Sequence, residues 1–440
     1  MSNKIIVSKF GGAVLADSEK IKKSIDIIKS DPSRRYVIIS APGKRSPEDI
    51  KMTDMLYLCH AQCVNRENFQ DTLRDIQQRF ESIVQDLGVN FSVEAEIAEI
   101  KKNLFFGKSK DYVASRGEYI LGKIVAQFLG WKFIDAADLI FFNSDGKLDE
   151  KKTFAAVSSV LKDVERAIIP GFYGSSGKKI KVFTRGGGDI SGAIIARAIK
   201  ADVYEKWRER TKVFCADPLI VDKPAVIRNL TYTELRELTH MGVEVIDQDV
   251  VFFLQGVKIP ISIKNINSPD DKGTLVTDKL PENSLRKVAA CIAGRKSFRF
   301  VHIDKFGLNK THGIGEKVFG TFAKYGISCE HYISGIYNFA IAVKNPIFDL
   351  RREEILKEIR DKISPENITV ETNLSVIAVI GSGMGTVKGI FAKIFNAIAA
   401  ADVKVHMINQ GAGESNIIIG VYDNDFEKTV KALYDAMILH

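Results

Sequence analysis

Lys4-Ile-Ile-Val-Ser-Lys-Phe-Gly-Gly-Ala13 is the stretch on which the fold turns. Ile5 to Val7 is a β-branched run, short enough to be a buried parallel strand. The strand ends at Lys9 and Phe10. Gly11-Gly12 follow, where a backbone without Cβ atoms turns readily. From Ser18 the residues Ile21, Ile25 and Ile27-Ile28 recur at helical spacing with lysines between them. A strand, a glycine turn with one lysine and then a helix present backbone N–H groups to a phosphate. An ordinary strand-to-helix turn beside a solvated lysine reads the same way, because Gly-Gly is shorter than the P-loop spacing.

The neighbouring stretches repeat this grammar. Tyr36-Val-Ile-Ile-Ser-Ala-Pro-Gly43 reads as a second buried strand. Ser40 and Ala41 stand at its carboxyl end, where open α/β sheets bind ligands. Thr53-Asp54 opens a helix over 55–63. A polar helical excursion follows over 65–108, with Leu73, Ile76, Phe80, Ile83 and Val84 on its apolar face. Ser115-Arg-Gly-Glu-Tyr119 opens another helix, whose buried stripe is Ile120, Leu121, Ile124, Val125 and Phe128. Glu118 then falls in a first turn, where the helix dipole favours a carboxylate. It is either a plain helix start or a fixed negative charge facing the crevice of Lys9.

The second strong stretch is Lys181-Val-Phe-Thr-Arg-Gly-Gly-Gly-Asp-Ile-Ser-Gly192. A strand again ends in a basic residue, then glycines, then a helix over 193–200. Arg185 can grip a carboxylate with two parallel hydrogen bonds. Gly186 to Gly188 let backbone amides approach an anion, and Asp189 sits at the helix start. Two such turns in one α/β unit predict a shared anion site. Further strands are expected at 132–135, 167–174, 202–207 and 259–264, with a helix at 232–241. The Asn-, Ser-, Pro- and Asp-rich stretch 265–273 marks the end of the domain.

The 440 residues, 45% hydrophobic and 27% charged, suit a globular chain of several domains. The net charge of +8 is spread along the chain, with no basic block interleaved with aromatics. That pattern points to an anionic small substrate and away from nucleic acid. The five cysteines form no Cys-x-x-Cys pair, and no His or Cys pair beside Cys59 and Cys63 completes a metal site. No apolar run reaches membrane-spanning length, and no signal-peptide pattern precedes the first strand. A soluble, cytoplasmic protein without a membrane partner is expected.

After residue 295 the pattern changes. Val318 and Ile394, Ile327 and Val403, and Gly335 and Gly411 match with one offset of 76 residues. This is an internal repeat of a small βαββαβ-sized unit. Each copy opens with a strand and a glycine loop, Gly313-Ile-Gly315 in one and Gly381-Ser-Gly-Met-Gly385 in the other. A pair of small repeats behind a catalytic domain predicts regulation or dimerisation.

Taken in order, Lys9-Phe-Gly-Gly12, Val37-Ile-Ile-Ser-Ala41, Met52-Thr-Asp-Met55, Ser115-Arg-Gly-Glu118, Gly171-Phe172, Arg185-Gly-Gly-Gly-Asp189 and Gly273-Thr274 resemble aspartate kinase. The two repeats resemble that family's paired ACT domains, with Glu330-His331, Ser334-Gly-Ile336 and Gly411-Ala-Gly-Glu-Ser-Asn-Ile417 as signatures. The resemblance implies an amino-acid-kinase fold over 1–283, a mainly parallel sheet between helices. Ferredoxin-like ACT domains would follow at 295–365 and 366–440, with strands shared between them. It implies transfer of the γ-phosphoryl of ATP, with Mg²⁺, to the side-chain carboxylate of L-aspartate at the head of lysine, threonine and methionine synthesis. Lys9 and Asp189 would be catalytic. Ser40, Thr53, Glu118, Phe172, Arg185 and Asp189 would hold aspartate, with Arg185 on a carboxylate and Glu118 on the ammonium. Lys9, Gly11, Gly12, Ala13, Trp207, Phe214 and Asp217 would hold the nucleotide. Lysine, threonine or both would act as feedback effector near Gly313, Ile314, Gly315, Ser328, Glu330 and Ser334. A homodimer or a dimer of dimers would form through the ACT units.

The departures from the family pattern cluster on the nucleotide side. Ala13 stands where Thr or Ser is usual, and Gly188 where Ser is common. Trp207-Arg208-Glu209 replaces Trp-Thr-Asp, Lys212 replaces a glycine, and Ile246-Asp247 replaces Leu-His. Asp217-Pro218-Leu219 replaces Asp-Pro-Arg, so a phosphate-binding arginine is lost. Arg208, Arg210 or Lys212 are candidates to restore that charge. The alternative is an aspartokinase-like amino-acid sensor with an altered nucleotide site. A kinase acting on glutamate or a carbamate is a third reading, against which the ACT repeats and Ser115–Glu118 argue.

Overall fold

The computed structural model describes residues 4–184, 186–209, 212–281, 289–344, 346–385, 387–411, 413 and 415–439. Strand β1, Ile6–Phe10, is buried at every position, as a β-branched run in a parallel sheet should be. Helix α1, Ser18–Ser30, begins where Asp17 accepts the N–H of Lys20, and it buries Ile21, Ile25, Ile27 and Ile28. Strand β2, Arg34–Ile39, lies beside β1 in parallel.

The long connection after β2 folds as four helices: α2 (Met52–Val64), α3 (Gln70–Leu87), α4 (Val93–Phe105) and α5 (Lys110–Leu129). The apolar face expected over 65–108 is real, but it is no excursion from the core. Leu73, Ile76, Phe80 and Ile83 pack in one cluster with Phe10, Val37, Ile120 and Ile124. Helix α5 starts at Lys110, with Ser109 accepting the N–H of Tyr112, and not at Ser115. Glu118 therefore lies in mid-helix, and the first-turn dipole argument does not apply to it.

Next come β3 (Lys132–Phe133), α6 (Glu150–Leu161), β4 (Ala167–Pro170), the hairpin β5 (Tyr173–Ser176) and β6 (Lys179–Val182), and α7 (Gly187–Ala198). They are followed by β7 (Val203–Arg208), β8 (Asn229–Thr231), α8 (Tyr232–His240), α9 (Gln248–Gln255), β9 (Ile261–Asn265) and β10 (Thr274–Thr277). The main sheet has eight strands in the order β3-β4-β2-β1-β7-β9-β10-β8. Every neighbouring pair is parallel except β9 with β10. The fold is thus the mainly parallel α/β sheet that the sequence leads one to expect, with its ligand side at the carboxyl ends of β1, β2 and β7.

The described residues of 4–213, 228–236 and 244–281 form one compact unit. Those of 214–227, 237–243 and 289–439 form a second. Of the domain expected over 1–283, the segments 214–227 and 237–243 group with the second unit. Within the second unit Ile292 N–H donates to Cys215 O, Ala225 N–H to the Tyr434 hydroxyl, and Asn416 to Glu237.

The second unit contains β11 (Cys291–Asp304), α10 (Ile314–Lys324), β12 (Cys329–Ser334), β13 (Asn338–Val343), α11 (Pro346–Ile363), β14 (Asn367–Ile380), α12 (Ile390–Ala400), β15 (Met407–Gln410), β16 (Asn416–Tyr422) and α13 (Phe426–Tyr434). One antiparallel sheet runs β12-β13-β11-β14-β16-β15. Both ends of β11 and β14, and the starts of α10 and α12, keep the 76-residue offset. So do the two left-handed residues that break the long strands, Ser297 (φ 70°) and Asn373 (φ 59°).

These breaks divide each long strand between the two repeats. Phe300–Asp304 pairs with residues Asn367–Glu371 beside β13, while Cys291–Arg295 pairs with Val376–Ile380 beside β16. The two repeats, expected at 295–365 and 366–440 with shared strands, thus do exchange half-strands. Asn367–Glu371 completes the first repeat, and Cys291–Arg295, at the front edge of 295–365, completes the second.

Candidate active site

Lys9 on β1 and Lys206 on β7 are partners in the parallel register, so both side chains leave the sheet on one face. Both end on Asp189. Lys9 Nζ stands 2.8 Å from Oδ1, and Lys206 Nζ donates to Oδ2 at 2.6 Å. All three residues are buried or nearly so. Asp189 lies in the first turn of α7, entered through Gly186 at φ 61°, and its N–H donates to Gly186 O. Burial by itself would raise the Asp189 pKa, but Lys206 and Lys9 outweigh it and hold the carboxyl well below the usual carboxylate range. Burial pushes the Lys206 ammonium pKa down, against the pull of Asp189.

Glycines leave the space around this pair. A Cβ on Gly188 would stand 3.0 Å from Ser40 Oγ and 3.2 Å from Lys9 Cε, and one on Gly11 would stand 3.3 Å from Lys9 Nζ. Gly188 in place of serine thus leaves a cradle beside Lys9. Gly12 has a different reason to be glycine: a Cβ there would lie 2.8 Å from Ala41 O. Gly43 N–H donates to Gly12 O at 2.8 Å, so the turns after β1 and β2 cross in backbone contact. Gly11 itself has φ −78°, which any residue adopts; close approach, not a left-handed turn, sets this sequence.

Glu118 faces the turn after β2. The Ala41 N–H and its own N–H bind the carboxylate, with Lys9 and Arg116 near, yet burial dominates and pushes its pKa up to about 8. Its Oε2 is buried without a hydrogen-bond partner. Arg116 turns the other way and lies over the rings of Tyr112 and Tyr119, at 4.6 and 4.2 Å. Phe172 is held at φ 79°, a conformation that costs a non-glycine residue on the order of 1–3 kcal/mol. Its N–H donates to Ser191 Oγ at 3.0 Å, and its ring lies against Gly187. Ser40 and Thr53 are half-buried, Thr53 in the first turn of α2. Arg185 lies outside the described residues.

The nucleotide candidates fare unevenly. Lys9, Gly11 and Gly12 lie at the lysine pair, and Ala13 is exposed. The Trp207 ring does not: it is 1% exposed, stacks on Phe10 at 5.9 Å and donates Nε1–H to Glu205 at 3.0 Å. Its position in the alternation of β7 turns it into the core, so it cannot stack on a base without unpacking the sheet. Phe214 and Asp217 belong to the second unit. Asp217 is exposed and accepts the N–H of Leu219, whose side chain is 93% exposed. Of the substitute cations, Arg208 donates to Val245 O at 3.3 Å and Lys212 stands 3.6 Å from Asp271; Arg210 lies outside the described residues.

The effector candidates divide as well. Gly313 caps α10 at φ 75°, Ile314 is buried, and Gly315 follows it in the helix. Glu330 is ion-paired with Arg295. Ser328 and Ser334 are exposed, Ser334 on the edge strand β12.

Lys206 is the residue that motif reading misses. Its signal is weak: a lysine sharing the parity of Tyr204 and Arg208 in a strand whose other face is occupied by Glu205 and Trp207. Only the pairing of β1 with β7 brings it to Lys9.

The amino acid kinase family model matches residues 4–265, and an ACT domain model matches 377–437. Aspartokinase 3 of Bacillus subtilis is 31% identical over 444 residues, covering 97% of either chain. A chloroplastic aspartokinase 3 of Arabidopsis thaliana is 25% identical and spans 98% of this chain and 81% of that one. The crystal structure of Clostridium acetobutylicum aspartate kinase superposes with a TM-score of 0.91 at 41% identity, over 99% of this chain and all of that one. E. coli aspartokinase III in complex with aspartate and ADP shares the fold, with a TM-score of 0.75 at 22% identity over 99% of this chain and 100% of that one. Matched along nearly its whole length by full-length relatives, this chain belongs to the amino acid kinase family, on its aspartokinase branch.

Proposed function

We propose that this chain transfers the γ-phosphoryl of MgATP to the side-chain carboxylate of L-aspartate, giving 4-phospho-L-aspartate at the head of lysine, threonine and methionine synthesis. The observation that carries this reading is the buried Lys9–Asp189–Lys206 cluster, with the glycine cradle beside it and Glu118 near Lys9. The nucleophile is already an anion near neutral pH, so no protein base and no covalent intermediate are needed. Catalysis then reduces to positioning and to stabilising charge on the moving phosphoryl. Lys9 takes up that charge, and Asp189 holds Lys9 in place while the site is empty. Glu118 receives the substrate ammonium, and Arg185, with Ser40, Thr53 and Phe172, forms the rest of the amino-acid pocket.

Mg²⁺ supplies charge screening on the nucleotide phosphates. Among the described residues no group of three or more His, Cys, Asp or Glu side chains could hold a metal.

The paired ACT repeats carry feedback control by lysine, threonine or both, at the α10 entrance around Gly313, Ile314 and Gly315 and along β12 with Ser328, Glu330 and Ser334. The 41%-identical Clostridium acetobutylicum relative is itself described as allosteric. The edge strands β12 and β15 expose Tyr332 and Ile408. Such edges suit pairing with a second copy, so a homodimer or a dimer of dimers is expected. Among the described residues no helix is long and apolar enough to cross a membrane. We assign the enzyme to the cytoplasm on the ground of its substrates. A coupled assay of ADP release tests the central claim: turnover should require aspartate and fall to background in Lys9→Ala. Turnover that is indifferent to aspartate, or to that substitution, would overturn it.

A further inference from the structure

Asp189 has two lysine partners, and the glycine-turn motif accounts for only one. A buried carboxylate needs a single cation for neutrality, and Lys9 already stands 2.8 Å away. Lys206 adds a second, nearly buried ammonium at 2.6 Å, so the Lys9–Asp189–Lys206 trio by itself carries one more positive charge than negative, with Arg208 and Asp247 also acting on Lys206. Burying an unbalanced charge costs stability unless an anion joins it. Strand β7 also divides its labour between faces. Glu205 and Trp207 turn into the core, where Glu205 binds Arg34 at 2.7 Å and Ser8 at 2.9 Å. Tyr204, Lys206 and Arg208 occupy the other face, and the Tyr204 hydroxyl donates to Asp189 O at 3.2 Å. Lys206 is not needed to hold β7, because the core face does that.

We propose that Lys206 is a second catalytic cation, which shares the transferred phosphoryl with Lys9. The proposal rests on the aspartate kinase reading above. In the empty site Asp189 keeps the two ammonium groups apart and oriented. When the nucleotide arrives its phosphate oxygens become the better partner, so the surplus charge meets its anion. Burial lowers the Lys206 pKa, which adds to the geometric case that this ammonium is held for a charge it has yet to meet.

The test compares the full-length protein with Lys206→Met and Lys206→Gln under varied ATP and aspartate. Gln keeps a donor for Asp189 and removes the charge, so it carries the test should the Met variant fail to fold. Expected is a loss of about 10²–10³-fold in kcat, the size of losing one preorganised donor. KM for aspartate should change less than about threefold, and Lys206→Arg should recover part of kcat. A merely structural lysine would leave kcat alone once the variant is folded. A folded neutral variant with kcat within about threefold of wild type overturns the proposal, as does a loss confined to KM for aspartate. Calorimetry of MgADP with aluminium fluoride supplies a separate arm: its binding should weaken at least tenfold in the neutral variants, and unchanged binding counts against Lys206. If the wild type shows no aspartate-dependent turnover, the aspartate kinase reading falls, and this binding arm still decides the role of Lys206.

Discussion

Glu118 should make aspartate binding depend on pH in the physiological range. Burial pushes its pKa up to about 8, from the usual value of 4.5, against the pull of the Ala41 N–H and of Lys9. At about pH 7 the empty site therefore holds roughly nine tenths of Glu118 protonated. The substrate ammonium requires the carboxylate, so binding must expel that proton, at a cost of about 1.4 kcal/mol at pH 7 and twice that at pH 6. The logarithm of kcat/KM for aspartate should rise with a slope near +1 between about pH 6 and 7.5 and flatten above about 8. Calorimetry in buffers of different ionisation enthalpy should detect close to one proton released per aspartate at pH 7. Glu118→Gln should abolish both the slope and the release and weaken binding at high pH. The sign for stability follows: a folded pKa above the unfolded one means the native protein binds the extra proton. This contribution is full below about pH 4.5 and is lost, at about 1.4 kcal/mol per unit, as pH rises towards 8. Saturating aspartate should remove that decline. A flat kcat/KM between pH 6 and 8, with no proton released, would refute the assignment of Glu118 to the ammonium.

Asp189→Asn should leave Lys9 and Lys206 as buried, uncompensated ammonium groups, with a stability loss of about 3–5 kcal/mol in urea unfolding and at least a hundredfold lower kcat; a variant as stable as wild type would show that the two ion pairs contribute nothing net. Gly12→Ala should cost about 1–3 kcal/mol, because the new methyl would lie 2.8 Å from the Ala41 carbonyl and neither backbone can yield freely. Unchanged thermal unfolding would show that the crossing has slack. Trp207→Leu should lower stability by about 2–4 kcal/mol through lost packing on Phe10, yet leave the MgADP dissociation constant within about threefold. A large loss of nucleotide affinity in a well-folded Trp207→Leu would mean that the ring reaches the base after all.

How much of this was legible in the sequence depends on how far apart the deciding residues lie. Ile5–Val7 announces β1, and Asp17 with the isoleucine spacing announces α1, because both signals are local. Gly11-Gly12 announces a turn, but the reason for Gly12 is the Ala41 carbonyl on another strand. Ser115 looks like the cap of α5, while the cap in use, Ser109, is followed directly by the charged pair Lys110-Asp111. Trp207 carries the family pattern, yet strand alternation, with Glu205 accepting its N–H, turns the ring inward. Lys206 was silent because its meaning depends on a ladder between residues 197 apart in the chain, such as Ser8 and Glu205.

The repeats show the same limit from the other side. The 76-residue offset is visible in single residues, and even the left-handed Ser297 and Asn373 obey it. The offset cannot say which copy each half-strand serves. A strand of 14 residues reads as one element whether it lies in one sheet half or two. The exchange is decided by the breaks at Ser297 and Asn373, which end one ladder and start the next. Neither repeat then has all its strands from its own stretch of chain. Each takes a half-strand from outside its own stretch, so the two repeats are joined through β11 and β14. A ligand that tightens one half acts on strands that the other half also needs, and that shared pair, β11 with β14, is where communication between the two repeats has a physical basis.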